Sequence, residues 1–108
     1  MSRSKRPRNT WLDKAQFKKR VVKYAIDLDI PLKSISVRPM SRKWASCSTA
    51  GNLNFNSQLI NMPKKLGDYV IVHELLHFHV VNHGKLWKSL MRAYLGDYEK
   101  LEKRLSKY

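Results

Sequence analysis

All four histidines of this chain fall in one apolar stretch, VIVHELLHFHVVNHGKLW, at residues 70–87. They are His73, His77, His79 and His83, and the carboxylate of Glu74 lies among them. Imidazoles and carboxylates are costly to bury unless they are paired or bind a metal ion. The stretch therefore predicts a site with its own chemistry, not a plain core helix.

The first two histidines and the glutamate form the pattern His-Glu-x-x-His. On an α-helix, His73 and His77 share one face and lie about 6 Å apart along the axis, so their imidazoles converge on one ion. In this pattern the histidines bind zinc, and the glutamate takes a proton from the zinc-bound water. Three protein ligands would leave a coordination position for water, which predicts a catalytic zinc site with Glu74 as the general base.

A third ligand must come from further along the chain. The candidates with suitable side chains are His79, His83, Glu99 and Glu102. On a regular helix His79 lies about 200° around the axis from His77, too far to reach the same ion. Asn82 and Gly84 predict a helix stop and a change of direction. We therefore expect His83 to be the third ligand, the two glutamates to be the alternatives, and His79 to lie at the surface.

Length and composition limit the classes of protein that fit. With 108 residues, the chain is expected to form one domain with one modest core. No apolar run approaches the roughly 18 residues of a membrane span, so no membrane partner is expected. The basic start of the chain does not resemble a secretory signal, and a single cysteine cannot form an internal disulfide. These features predict a cytoplasmic protein.

The chain is strongly basic, with 22 Lys and Arg against 8 Asp and Glu, a net charge of +14. The basic residues are spread over the start of the chain, the first helix and the C-terminal part. They are not interleaved with aromatic residues as in a base-stacking surface. A solvated basic surface is therefore favoured, and nucleic acid is a less favoured partner.

The first half of the chain predicts a helix, a strand and a hairpin. Residues 1–9 are expected to form a disordered basic tail, and residues 10–108 a single domain. Thr10 and Asp13 have capping-box spacing, which predicts a helix over about 11–28. The face assigned to its core side carries Trp11, Ala15, Val22, Ala25 and Ile26. A strand in LKSISVRPM and a hairpin in KWASCSTAGNLNFN, turning at TAGN, follow.

The second half predicts helices. A helix apolar on nearly all sides, and hence buried, begins near Pro63 and carries the His-Glu-x-x-His pattern. A second helix is expected over about 85–95 and ends at Gly96, and Asp97 caps a last short amphipathic helix. The predicted class is α+β: a backing helix, a short twisted, mostly antiparallel sheet with a hairpin, an active-site helix and C-terminal helices.

The segments KWASCSTAGNLNFN and VHELLHFHVVNHGKLW together resemble the minigluzincins, small metallopeptidase domains of bacteria and archaea that are similar to thermolysin-like gluzincins. The likeness runs from about residue 10 to the end. It implies the same α+β fold, with His73, His77 and His83 as zinc ligands and Glu74 as the general base of peptide-bond hydrolysis. It also implies that an extended substrate pairs with an edge strand formed by Lys43, Trp44, Ala45, Ser46, Cys47 and Ser48.

Several points stay open at this stage. Tyr69, His79, Arg92 and Tyr94 are all chemically able to stabilise the oxyanion of the reaction. Residues 97–108 are amphipathic and include the carboxylates of Asp97, Glu99 and Glu102, and we expect this segment to restrict the active-site cleft, in cis or by exchange in a homodimer. The alternatives are a nucleic-acid-associated protease similar to SprT, a zinc-dependent nucleotide phosphohydrolase, and a binding module without catalysis.

Overall fold

The computed structural model describes residues 9–80 and 82–108, and over these ranges it has the predicted α+β class. Its elements in chain order are α1 (Lys14–Asp27), β1 (Ser34–Arg38), β2 (Ala45–Cys47), β3 (Asn52–Asn56), a 3-10 helix (Ser57–Asn61), α2 (Lys64–Leu76), α3 (Lys85–Leu95) and α4 (Tyr98–Leu105). The predicted tail lies outside the described residues except for Asn9, whose carbonyl accepts a hydrogen bond from the Lys64 amide. Asn9 therefore contacts the domain, one residue before the predicted domain start.

Helix α1 begins three residues later than the sequence pattern predicted. Asp13, not Thr10, is the N-cap, and its carboxylate accepts a 2.9 Å hydrogen bond from the Gln16 amide. The Gln16 side chain in turn accepts a 2.7 Å hydrogen bond from the Leu12 amide. Thr10 instead lies in an isolated bridge with Pro63. The capping interaction is present, but shifted along the chain.

The buried face of α1 also differs from the prediction. Phe17, Val21 and Ala25 are buried, whereas Val22 and Ile26 are 43% and 72% exposed. The Phe17 ring meets Trp11 and Phe55 edge-on, with ring centroids 5.0 and 5.2 Å apart. Since residues four apart share a helix face, the contacts of Phe17 bring Val21 and Ala25 to the core and turn the other two residues outward.

The sheet is mixed, not mostly antiparallel as predicted, and has the strand order β1-β3-β2. Strand β3 lies at its centre, paired in parallel with β1 and antiparallel with β2. Leu53 and Phe55 of β3 are fully buried, which accounts for the central position of this strand. The predicted hairpin joins β2 and β3, and Gly51 has the positive φ of 97° that the turn requires. Strand β2 is left at an edge.

Helix α2 runs through the middle of the core. Eight of its residues are buried, Leu66, Gly67, Tyr69, Val70, Ile71, Val72, Leu75 and Leu76. Gly67 allows Trp11 to approach, because a Cβ atom at this position would lie 2.6 Å from the indole nitrogen. Tyr98, Leu101 and Leu105 of α4 also belong to the core. None of the helices in the described ranges has the length and apolar character needed to cross a bilayer.

Candidate metal centre

Three of the four histidines come together where α2 ends. His73 lies in the last turn of α2, His77 is its C-cap residue, and His83 lies in the connection to α3. The ring centroids of His73 lie 5.0 Å from His77 and 5.2 Å from His83, and the other pair is 5.5 Å apart. One ligand nitrogen of each imidazole lies within 4.8 Å of the others. This set of donors suits a zinc ion.

The connection between α2 and α3 brings His83 back to the helix. The Asn82 side chain accepts a 3.0 Å hydrogen bond from the Gly84 amide and so closes a tight turn around His83. The His83 ring then stacks on the buried indole of Trp87, with centroids 4.0 Å apart and an interplanar angle of 14°. Trp87 was not among the residues predicted for the site. Its spacing of one helical turn from His83 is the signal that could have identified it.

The environment of His77 favours a neutral imidazole. Partial burial is the main cause that lowers the pKa of His77, and repulsion by the His73 and His83 imidazoles lowers it further. The Glu74 carboxylate acts in the opposite direction. A neutral imidazole has the free lone pair that a metal ion needs.

Glu74 follows His73 in α2 and lies beside the histidines. Its Oε2 atom is 3.5 Å from Nδ1 of His73, and its side chain is 14% exposed. The thiol of Cys47 on β2 lies near this carboxylate, and partial burial together with the charge of Glu74 raises the pKa of the thiol. The family resemblance placed Cys47 among the substrate-binding residues of the edge strand, and its approach to Glu74 was not predicted. Its approach to Glu74 depends on how the sheet packs on α2.

Two cavities flank the histidine cluster along the edge strand. The larger, of about 380 Å³, is lined by Lys43, Trp44, Ala45, Tyr69, Val70, His73, Glu74, Glu102, Leu105 and Ser106. The other, of about 300 Å³, is lined by Cys47, Ser48, Thr49, His77 and Phe78. Five of the six residues predicted to bind substrate therefore line one of these cavities. Ser46 is the sixth, and its hydroxyl oxygen instead accepts a 3.4 Å hydrogen bond from the side-chain amide of Asn54 within the sheet.

Helix α4 forms one wall of the larger cavity. The Tyr69 hydroxyl donates a 3.0 Å hydrogen bond to Glu102, which ties α4 to α2. Burial is the main cause that raises the pKa of Tyr69, and the contact with Glu102 adds to it, so the hydroxyl stays protonated. Glu99, the other alternative ligand, pairs with Arg92 at 3.6 Å on the exposed side of α4. Neither glutamate joins the cluster found among the described residues.

The remaining polar candidates point elsewhere. His79 is exposed, and its Nε2 atom lies 2.6 Å from the Leu28 carbonyl oxygen. Tyr94 packs edge-on against Tyr24, with ring centroids 6.0 Å apart. Of the four residues considered for the oxyanion, Tyr69 is the one that lines a cavity of the site.

A small α+β domain with this histidine cluster beside a glutamate on its central helix is the framework of a metallopeptidase domain. The chain belongs to the YgjP-like metallopeptidase domain family, whose model matches residues 6–108. This membership agrees with the resemblance to small zinc metallopeptidases seen in the sequence.

Relatives in Methanocaldococcus jannaschii and Pyrococcus abyssi share sequence or fold with this chain. The uncharacterized protein MJ0123 of M. jannaschii is 34% identical over 70 residues, which span 61% of this chain and 64% of that relative. The crystal structure of the metallopeptidase zymogen of M. jannaschii jannalysin has 30% identity and a TM-score of 0.74, and the match covers 84% of this chain and 94% of jannalysin. The zymogen of P. abyssi abylysin has 18% identity and a TM-score of 0.69, with 84% and 92% covered, and shows the fold alone.

Proposed function

We propose that this protein is a zinc-dependent metallopeptidase in which His73, His77 and His83 hold the metal ion and Glu74 is the general base. The observation that carries the proposal is the convergence of three imidazole nitrogens within 4.8 Å of one another. Zinc, when bound, lowers the pKa of its water towards about 7 and polarises a peptide carbonyl. The Glu74 carboxylate takes the proton of the attacking water and passes it to the leaving amine.

The edge strand offers a place for an extended peptide. Strand β2 pairs with β3 on one side, and within residues 9–80 and 82–108 no strand pairs with its other edge, which is the edge that a substrate strand would use. The two cavities beside it contain His73 and Glu74 on one side and His77 on the other. A peptide that follows residues 43–48 would therefore pass the histidine cluster. Because main-chain pairing reads no side chain, this contact supplies affinity more than sequence specificity.

Tyr69 is the proposed donor to the oxyanion. Its hydroxyl is protonated and lines the cavity with Glu74, but it donates its hydrogen bond to Glu102 in this arrangement. Helix α4 therefore narrows the cavity, and its residue Glu102 accepts the hydrogen bond that the Tyr69 hydroxyl would otherwise donate to a substrate. When Glu102 moves away, the Tyr69 hydroxyl becomes free to donate to a substrate oxygen.

Latency through the C-terminal segment, residues 97–108, is part of the same proposal. Glu102, Leu105 and Ser106 line the larger cavity, which supports restriction of the cleft in cis. Jannalysin, one of the similar solved proteins, is described as a metallopeptidase zymogen. A homodimer that exchanges the C-terminal helix stays a prediction, as does the cytoplasmic location.

A substitution at Glu74 separates metal binding from chemistry. Because Glu74 moves a proton and does not hold the metal, Glu74→Gln should retain zinc and fold but hydrolyse peptide at least about a hundredfold more slowly. Zinc content, circular dichroism and cleavage of an unfolded protein substrate measure the three properties. His79→Gln is the matched control, since this exposed residue lies outside the cluster. Near-normal turnover by Glu74→Gln would refute the role of general base.

A further inference from the structure

Another cavity, here called the second cavity, adjoins the catalytic cleft, which is the larger of the two cavities beside the histidine cluster. It has a volume of about 370 Å³, and its lining residues are Met40, Arg42, Lys43, Trp44, Asn56, Gln58 and Tyr108. Lys43 and Trp44 also line the cavity that contains His73 and Glu74. The two cavities are therefore neighbours, separated by the Lys43 and Trp44 side chains.

Two cationic side chains line the second cavity. Arg42 and Lys43 both line it, and none of its lining residues is an aspartate or a glutamate. The ion pairs found in residues 9–80 and 82–108 are Arg20–Asp68, His73–Glu74 and Arg92–Glu99, so neither Arg42 nor Lys43 is paired there. Glu74 and Glu102 line the neighbouring cleft with Lys43. Arg42 lines the second cavity but not the cleft.

The backbone that carries these two cations is fixed by a buried amide. Asn56 is 3% exposed, and its Nδ2 atom donates hydrogen bonds of 3.0 Å to the carbonyls of both Met40 and Lys43. Its Oδ1 atom accepts a third hydrogen bond from the Gln58 amide at 3.0 Å. Arg42 has a φ of 63°, a left-handed conformation that non-glycine residues adopt at a cost. The loop thus presents its two cations from a defined position.

We propose that this cavity is an anionic subsite in which Arg42 and Lys43 bind a carboxylate side chain of the peptide substrate. The inference rests on the proposed peptidase function. Lys43 precedes Cys47, which lies beside Glu74, by four residues, and Ala45–Cys47 form β2, so the two residues are separated by at most about 13 Å at roughly 3.3 Å per residue. The recognised aspartate or glutamate therefore lies within about four residues of the scissile bond.

Equilibrium binding tests the subsite without turnover. The zinc-loaded Glu74→Gln protein is titrated with fluorescein-labelled peptides that carry a single Glu or Gln at each of four positions on either side of a fixed centre. Because exposed ion pairs are weak, a Glu peptide should bind about three- to tenfold more tightly than its Gln partner at one or two positions. The difference should shrink at high salt because both cations are exposed.

Two double variants with the same change in net charge identify the residues responsible. Arg42→Gln with Lys43→Gln should make the Glu and Gln peptides bind equally. Lys18→Gln with Lys19→Gln, on the exposed side of α1, should leave the preference unchanged. Equal binding of Glu and Gln peptides at every position, or equal loss of preference in both double variants, would overturn the subsite.

Cleavage by the protein with native Glu74 separates this inference from the proposed function. Hydrolysis of Glu and Gln peptides at equal kcat/KM would leave the peptidase standing and remove the subsite. Turnover of a nucleoside triphosphate with no cleavage of either peptide would overturn the peptidase, and the peptide subsite with it.

Discussion

His83 depends on a neighbouring side chain for its orientation. His83 lies between α2 and α3, so helical hydrogen bonds do not hold its main chain, and its ring needs another support. Trp87 stacks flat against it, and the indole is itself buried and meets Tyr98 edge-on at 5.6 Å. The stack therefore holds the exposed imidazole of His83 against a side chain that the core keeps in place. In this account Trp87 is a positioning residue for the metal site.

Replacement of Trp87 should weaken zinc binding. Residues that orient metal ligands typically contribute about ten- to a hundredfold in affinity, so Trp87→Leu should lower zinc affinity by an amount in this range. Trp87→Phe, which keeps an aromatic face, should lose less. Competition with a chromophoric chelator measures both values, and Trp44→Leu is the control because Trp44 contacts none of the three imidazoles in the ring pairs observed. A folded Trp87→Leu protein with native zinc affinity would contradict the positioning role.

The residues of the site differ in how far the sequence could predict them. The separation of His73 and His77 follows from helix periodicity alone, and the turn at Asn82 and Gly84 made a return of His83 predictable. The hydrogen bond between Tyr69 and Glu102 joins residues 33 positions apart, and the approach of Cys47 to Glu74 joins a strand to a helix. Such contacts depend on tertiary packing, which no local pattern specifies.

At the scale of the elements, capping residues and glycines predicted the ends of the helices well, whereas side-chain patterns did not predict which face is buried or how the strands pair. Helix α3 matches its predicted range of 85–95, and α4 begins after the predicted Asp97 cap, because glycine and capping residues act locally. The buried face of α1 was predicted only in part: Ala25 is buried as expected, whereas Val22 and Ile26 are exposed, because the Phe17 contacts with Trp11 and Phe55 decide which face turns inward. The parallel pairing of β1 with β3 was also not predicted, because it joins strands that do not follow each other along the chain.

Asp68 provides a test of how α1 and α2 pack together. Its side chain is 13% exposed, and burial is the main cause that raises its pKa, while Arg20 at 3.7 Å offsets part of the effect. A pKa higher in the folded state means that the folded protein holds this proton more tightly. The contribution of Asp68 to stability is therefore largest at low pH and is lost as the pH rises through the raised pKa.

Asp68→Asn should remove the loss of stability that accompanies ionisation of Asp68. Between about pH 4 and pH 7 the free energy of unfolding of Asp68→Asn should rise relative to that of the native protein, because asparagine does not ionise. Urea denaturation at a series of pH values measures the difference. Asp27→Asn, at the exposed end of α1, makes the same change in charge and is the control. A profile for Asp68→Asn that runs parallel to the native profile would contradict the effect of burial.

At the scale of the whole molecule, α4 belongs to both the core and the site. Tyr98, Leu101 and Leu105 are core residues, so removal of residues 96–108 should unfold the domain and reveal nothing about latency. A point substitution at the cleft tests latency better than truncation does, because the core residues of α4 stay in place. Glu102 faces the cavity, and Glu99 lies one turn earlier on the exposed side of the same helix.

Glu102→Ala should raise activity while the fold persists. Loss of the hydrogen bond from Tyr69 frees the proposed oxyanion donor and loosens α4, at a cost to stability of about 1.5–3 kcal/mol. Glu99→Ala changes the charge of α4 equally and should leave activity near the native level. Cleavage of an unfolded protein substrate, with thermal unfolding alongside, measures both effects. A Glu102→Ala protein no more active than Glu99→Ala would contradict restriction of the cleft by α4.

The zinc content of the purified protein tests the central claim most directly. Elemental analysis of the native chain and of His79→Ala should give about one zinc ion per chain, since three ligands and water complete a catalytic site. His83→Ala should give far less after dialysis against a weak chelator, because two histidines make an incomplete site. If His83→Ala retained zinc as well as His79→Ala does, the proposed metal site would be wrong.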